Sequence, residues 1–234
     1  MTLTEDRTLP LRILDCGLQP YLPILDLQHE LTDQLRAGRA VNTVLLLEHK
    51  PVITLGARKT ANRLTRAPDL LRSDGIDTVD IRRGGGATAH NPGQLVFYPI
   101  LNLAKLKLSI TEYIRQLEQI GIELLDNLGI QAERKKGFPG LWVGPEKIAS
   151  VGVRVSRQIS YHGMAINICN DLRIFANIVP CGLDGVKITS AKQLTNTDYS
   201  MDEVKEKLKT ILTDHFSSPR KTEYEKYTQA AELA

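Results

Sequence analysis

Three stretches of this sequence carry residue types that could do chemistry. The first is Arg82-Arg83-Gly84-Gly85-Gly86-Ala87-Thr88-Ala89-His90-Asn91-Pro92-Gly93-Gln94. Consecutive glycines let a backbone approach a ligand closely, and their N–H groups can cradle an oxygen. No Gly-Lys-Ser/Thr follows, as a Walker-type phosphate loop requires, and the glycines lack the spacing of a dinucleotide fingerprint. A tight turn between strands explains the glycines alone equally well; His90 and the arginine pair weigh toward a site. The second stretch is Glu146-Lys147-Ile148-Ala149-Ser150-Val151-Gly152-Val153-Arg154. Lys147 opens an apolar run, and desolvation disfavours the charged form of an amine, which suits it to act as a base. An edge lysine reaching into water is the commoner outcome of such a pattern. The third is Val179-Pro180-Cys181-Gly182-Leu183-Asp184-Gly185. Cys181, between a proline and a glycine, belongs on a turn, where a nearby cation can turn a thiol of ordinary pKa, about 8.5, into a nucleophile. An inert loop cysteine is the alternative. Cys16 and Cys169 border apolar runs and fit the inert description better. Spacing along the chain does not bring Lys147 and Cys181 together.

The elements that must position these residues alternate. Residues 11–14 read as a strand and 20–36 as a helix closed by Gly38. Residues 44–48 and 52–55 read as a strand pair broken at Lys50-Pro51, because proline removes a donor and constrains its predecessor. A short helix at 69–73 and a strand at 78–82 precede the loop 83–94, and 95–100 is an apolar strand. Ser109-Ile110-Thr111-Glu112 is a capping-box pattern. Behind it Ile110, Tyr113, Ile114, Leu117, Ile120, Leu124 and Leu128 trace one helical face up to Gly129. Residues 141–143, 147–156 and 164–168 show the short β-branched runs of a meandering sheet. A second box, Ser200-Met201-Asp202-Glu203, opens a terminal helix with Val204, Leu208, Ile211 and Leu212 on one face. Residues 217–234 read as a polar tail. This mixture predicts an α/β or α+β fold, a sheet with helices packed on it, in a single domain over residues 1–234.

Composition narrows the function. The 234 residues are 42% hydrophobic and 24% charged, enough to bury a core and unlike a disordered or coiled-coil chain. No apolar run approaches the ~18–20 residues of a membrane helix, and the polar residues 1–10 do not resemble a secretory signal. Three scattered cysteines make neither a disulfide framework nor a metal site. Cytoplasmic residence is the expectation. A net charge of +3, with one Trp, seven Tyr and four Phe, argues against a nucleic-acid binder and leaves room for an acidic macromolecular partner.

Together the motifs closely resemble those of the lipoyl(octanoyl) transferases. They are Leu47-Glu48-His49-Lys50-Pro51-Val52-Ile53-Thr54-Leu55-Gly56, the glycine stretch with Tyr98-Pro99-Ile100, the Lys147 stretch, His162-Gly163-Met164-Ala165-Ile166-Asn167-Ile168, Pro180-Cys181-Gly182 and Thr189-Ser190. The resemblance implies a mixed sheet flanked by helices, the catalytic fold shared with biotin and lipoate protein ligases. It implies transfer of an octanoyl group from octanoyl-acyl carrier protein to a specific lysine of lipoyl domains of 2-oxoacid dehydrogenases or of the glycine-cleavage H protein. By resemblance Cys181 is the nucleophile and carries the acyl group as a thioester, while Lys147 favours its thiolate and acts as acid and base. Substrate would be bound by Arg83, Gly84, Gly85, Gly86, Ala87, Thr88, Ala89 and His90, with Ser150, Val151, Gly152, Gly163, Met164 and Ala165. Small residues at Gly152, Gly163 and Ala165 would leave room for the chain, and N–H groups of Gly84, Gly85 and Gly86 or after Cys181 would form an oxyanion hole. No cofactor, metal, nucleic acid or membrane is implied, and a monomer is expected.

Asn91 stands where the family has glycine, Lys50 where proline is common, and Gly86 where a bulkier residue is usual. His162 supports the site from behind or serves only the fold. The cluster Arg134-Lys135-Lys136, with Arg82, either docks an acidic carrier protein or is a solvated basic loop. Two rival functions remain: an ATP-dependent lipoate or biotin ligase, which has no need of Cys181, and a non-catalytic acyl-carrier binder.

Overall fold

The computed structural model describes residues 9–179, 185–217 and 222–227. In chain order the strands are β1 (Leu11–Gln19), β2 (Asn42–His49), β3 (Val52–Leu55), β4 (Asp77–Asp80), β5 (Thr88–His90), β6 (Gln94–Ile100), β7 (Glu133–Lys135), β8 (Phe138–Val143), β9 (Glu146–Ser156), β10 (Ile159–Asn167) and β11 (Thr222–Lys226). The helices are α1 (Tyr21–Arg36), α2 (Pro68–Ser73), α3 (Leu103–Leu106), α4 (Ile110–Asp126), α5 (Ala191–Thr195) and α6 (Met201–Phe216).

Eight strands form one mixed sheet in the order β11-β1-β2-β6-β10-β9-β8-β7. The first three run parallel, which requires a crossover between β1 and β2, and α1 supplies it. The other pairings are antiparallel. Strand β2 is almost continuously buried, with an apolar run at residues 44–47, because both its faces are covered. Val44 and Leu46 join Leu95, Phe97, Met164 and Ile166 beneath α4 and α6, while Leu45 and Leu47 join Val96, Tyr98 and Ala165 beneath α1. A smaller sheet, β4-β3-β5, closes over a third cluster with α2.

The capping box at Ser109 forms in full, with the Glu112 N–H donating to Ser109 Oγ at 3.2 Å and the Ser109 N–H to Glu112 Oε2 at 2.8 Å. At Ser200 only the first bond is made, from the Glu203 N–H at 3.4 Å.

Three expectations are corrected. Strands β2 and β3 do not pair: β2 already has β1 and β6 on its two edges, so the chain turns at Lys50-Pro51 and β3 starts the second sheet. The stretch 83–94 is not all loop, since Thr88, Ala89 and His90 pair with Thr54, Ile53 and Val52; three residues are too few to show a period. Within the polar tail, Thr222–Lys226 lies parallel to β1 as an edge strand, a pairing between residues some 200 positions apart that local pattern does not carry.

Candidate active site

The antiparallel half of the large sheet is the floor of the site. The β9–β10 register sets Ser150 opposite Ala165, Val151 opposite Met164 and Gly152 opposite Gly163. The glycine loop lies on this floor, fastened where the Gly84 N–H donates to the Val153 carbonyl at 2.9 Å. Arg83 is buried and stiffens the loop from within. Its guanidinium donates to Thr54 Oγ1 (2.8 Å) and the Thr54 carbonyl (2.9 Å) on β3, and to the Gly84 carbonyl (3.0 Å).

Two cavities share the walls made by Gly84, Gly85, Gly86, Val151 and Gly152. The inner one, about 50 Å³, is closed by Tyr21, His90, Tyr98 and His162. The outer one, about 360 Å³, has an apolar wall of Ile110, Ile114, Phe138 and Val153, with Lys147 at its edge. Thirteen of the fourteen substrate residues expected from the sequence line the inner cavity. Ala89 does not: strand alternation on β5 turns it into the cluster of Ile53, Leu71 and Ile174. Gly163 and Gly152 are small for reasons other than ligand space. A Cβ on Gly163 would lie 2.2 Å from the Phe97 carbonyl oxygen of β6, and one on Gly152 would lie 2.9 Å from Arg83 Cδ.

The inner wall opposite the glycines carries Tyr21, His90, Tyr98 and His162, and Arg83 is the charged residue on it. His90 Nδ1 lies 2.7 Å from Gln94 Oε1. The Gln94 amide donates to Ala89 and Asn167, so its oxygen accepts, His90 carries its proton on Nδ1, and Nε2 is left with a lone pair. By the same logic His49 donates from Nδ1 to the Gln19 carbonyl (3.2 Å) and accepts from the Tyr98 hydroxyl at Nε2 (2.9 Å). Burial pushes the pKa of His49 down to about 4 and that of His162 down to about 3, the latter with help from the Arg83 charge. Burial, then His49, holds His90 well below its ordinary range. Tyr21 and Tyr98 are pushed up by burial, so both hydroxyls stay protonated. His162 sits at φ +56°, a conformation rare outside glycine. Helix α1 pins it there, through the fully buried Gln28 accepting its N–H at 2.8 Å.

Lys147 is buried, only 3% exposed, rather than reaching into water. Its Nζ donates to the Pro139 carbonyl at 2.9 Å and stands 5.4 Å from the centre of the Trp142 ring. The chain after position 184 runs alongside: the Lys147 N–H donates to the Lys187 carbonyl (2.8 Å), and the Thr189 N–H donates to the Lys147 carbonyl (3.0 Å). Cys181 lies outside the described residues. Cys16 is buried, with its thiol pushed up to about 12 by burial, and the pKa of Cys169 is also raised by burial.

The family departures have structural partners. A Cβ on Gly86 would fall 2.4 Å from the Ala61 carbonyl oxygen. The Asn91 side chain donates to the Asp171 carbonyl (2.9 Å) and accepts from Asn170 (3.0 Å), joining two loops. Lys50 is exposed. In the basic cluster, Arg134 is tied to Glu118 and Gln119, while Lys136 and Arg82 face solvent. Tyr21, Thr54, Arg58, Ile110 and Phe138 were missed as site residues by sequence reasoning. Tyr98 and Thr54 were quoted only inside motifs, and no local signal marks the others as site residues.

Among the described residues no group of three His, Cys, Asp or Glu side chains could hold a metal, and no helix is long and apolar enough to cross a membrane. A glycine-lined apolar cavity with a buried lysine at its edge suits an enzyme that holds an acyl chain beside a proton-handling amine. The sequence model of the lipoyl protein ligase A/B catalytic domain matches residues 20–213, and the chain belongs to that family. A protein of Syntrophobacter fumaroxidans named Octanoyltransferase is 43% identical over 82% of this chain and 84% of its own length. One of the same name from Syntrophotalea carbinolica is 40% identical over 91% and 95%. The fold matches a bi-partite lipoate protein ligase of Thermoplasma acidophilum with a TM-score of 0.66, at 17% identity over 95% of this chain and 88% of that one. Within the family, this chain is an acyltransferase of lipoyl or octanoyl transfer.

Proposed function

We propose that the chain, acting as one catalytic domain in the cytoplasm, takes octanoyl from octanoyl-acyl carrier protein onto Cys181. It then passes the group to a lysine of lipoyl domains of 2-oxoacid dehydrogenases or of the glycine-cleavage H protein. The observation that carries this reading is the buried Lys147 at the edge of an apolar cavity, with residues 187–189 bonded along its backbone. From Lys187, position 181 is six residues along the chain, a reach of at most about 20 Å.

In the first half-reaction Cys181, its proton passed to Lys147, attacks the thioester carbonyl as thiolate, the tetrahedral oxyanion collapses, and the carrier's thiolate leaves and takes that proton from Lys147. One thioester replaces another, so no ATP is consumed. In the second, the neutral acceptor amine attacks the acyl-enzyme, Lys147 takes its proton, and the Cys181 thiolate leaves. The Gly84 N–H is already committed to Val153. Gly85 and Gly86, whose N–H groups meet no acceptor among the described residues, are the better oxyanion donors, at about 2.7–4 kcal/mol per donor. Burying an eight-carbon chain at roughly 0.8 kcal/mol per methylene contributes on the order of 5 kcal/mol to binding. The histidines and tyrosines are uncharged, and the Arg83 guanidinium on the inner wall is tied to Thr54 and Gly84.

The test is intact-protein mass after incubation with octanoyl-acyl carrier protein without ATP. Wild type should gain one octanoyl group and lose it when a lipoyl domain is added, and Cys181→Ala should gain none. An enzyme that modifies the lipoyl domain only with free octanoate and ATP would be a ligase, and the proposal would fall.

A further inference from the structure

Glu118 on α4 is a buried carboxylate that the steps above leave without a task; it is 2% exposed. Its Oε1 accepts the Gly140 N–H at 3.1 Å. Its Oε2 meets Arg115 at 2.9 Å and Arg134 Nε at 3.3 Å. The Gly140 N–H and the Pro139 carbonyl belong to one planar peptide unit, where they point in opposite directions. That carbonyl accepts from Lys147 Nζ at 2.9 Å. A carboxylate and a lysine amine therefore hold the two ends of a single peptide dipole. Gly140 has φ +113°, and a Cβ there would stand 2.2 Å from the Ala149 carbonyl oxygen and 2.9 Å from Lys147 Cε. Glycine lets this peptide press against the lysine, but its conformational freedom also makes the orientation depend on an anchor.

We propose that Glu118 is a positioning residue for Lys147: it fixes and polarises the peptide between Pro139 and Gly140, whose carbonyl holds the amine at the cavity edge. The inference rests on the reading of Lys147 as the proton-handling group. Hydrogen bonds in series strengthen one another in a low-dielectric interior, so a carboxylate on the N–H makes the carbonyl a better acceptor. The charged groups facing this relay are Arg115 on α4, Arg134 and Lys135 on β7, and Arg58 across the outer cavity. Among these described groups Glu118 is the negative one, and replacing it takes the negative charge from behind the peptide that holds the amine while Arg115, Arg134 and Lys135 remain.

Glu118→Gln keeps an oxygen for the Gly140 N–H and removes the charge. It should move the pH–rate profile of octanoyl transfer to lower pH by roughly half a unit to one unit, with KM for the donor changed less than about twofold. The Gly140 amide proton should move upfield in the NMR spectrum as its acceptor loses charge. Arg134→Gln removes a cation from the same relay and should move the profile the opposite way, which general loss of packing would not do. Unchanged profiles in both variants, or shifts in the same direction, beside an inactive Lys147→Ala would overturn this inference alone. A Lys147→Ala variant that transfers at the wild-type rate would overturn the reading of Lys147, and the role of Glu118 with it. If Glu118→Gln does not fold, the direction of the Arg134→Gln shift decides.

Discussion

Mild acid should unfold this protein through its buried histidines before its carboxylates titrate. His49 and His162 have pKa values of about 4 and about 3 in the fold, against about 6.5 for an exposed imidazole. The fold therefore prefers them neutral. Their contribution to stability is complete above the unfolded value near 6.5 and is lost as pH falls toward the folded values. At pH 5 an unfolded histidine carries about 0.97 proton, while His49 in the fold carries about 0.1 and His162 about 0.01, so each takes up nearly one proton on unfolding. Integrated from pH 7 to pH 5, each of the two accounts for a loss of about 2 kcal/mol, a large share of the ~5–15 kcal/mol typical of a folded protein. His90, whose pKa is depressed by burial and by His49, acts in the same direction. Urea unfolding followed by the fluorescence of Trp142, the sole tryptophan, measures this directly. Near pH 5 the stability should fall by the equivalent of at least about two protons, roughly 2.7 kcal/mol per pH unit. His49→Gln should reduce that slope by about one proton. A flat profile between pH 7 and pH 5, or a His49→Gln slope equal to wild type, would refute the claim that these rings are held neutral by burial.

Other outcomes follow from single contacts. Thr54→Val leaves two guanidinium N–H groups of the buried Arg83 without their hydroxyl acceptor. It should cost about 1.5–3 kcal/mol in urea unfolding and raise KM by loosening the glycine loop; an unchanged midpoint would contradict the bracing role. Gly86→Ala forces a methyl against Ala61 and should lower stability by about 1–3 kcal/mol in thermal unfolding despite the small change in size. Charge reversal at Arg82 and Lys136, two exposed basic residues near the site, should raise KM for an acidic donor severalfold at low salt. The gap from wild type should close near 1 M salt, where screening acts over about 3 Å; a gap independent of salt would exclude electrostatic docking.

Much of this protein was legible along the chain. Helix α4 announces itself through Ser109, Glu112 and an apolar stripe because helical capping and periodicity are local properties. The glycine loop stood out by its residue types and the β9 and β10 segments were named through the family resemblance, and the structure brings all but Ala89 of these residues to one cavity. What the sequence could not supply is everything decided by packing between distant segments. Tyr21 lines the cavity only because α1 crosses from β1 to β2 over that face, and Gly163 is glycine because β6 passes 2.2 Å from where its Cβ would be. Lys147 opens an apolar run, but that run does not decide between burial and an edge lysine in water, since burial comes from β8 and from residues 187–189 closing on it. Glu118 is an ordinary residue in sequence, and Arg83, though named there, gets its bracing role from Thr54 only when the fold removes water from around these groups and leaves specific partners in its place. Local preference is written residue by residue, whereas desolvation, register and the meeting of strands exist only once the chain has closed on itself.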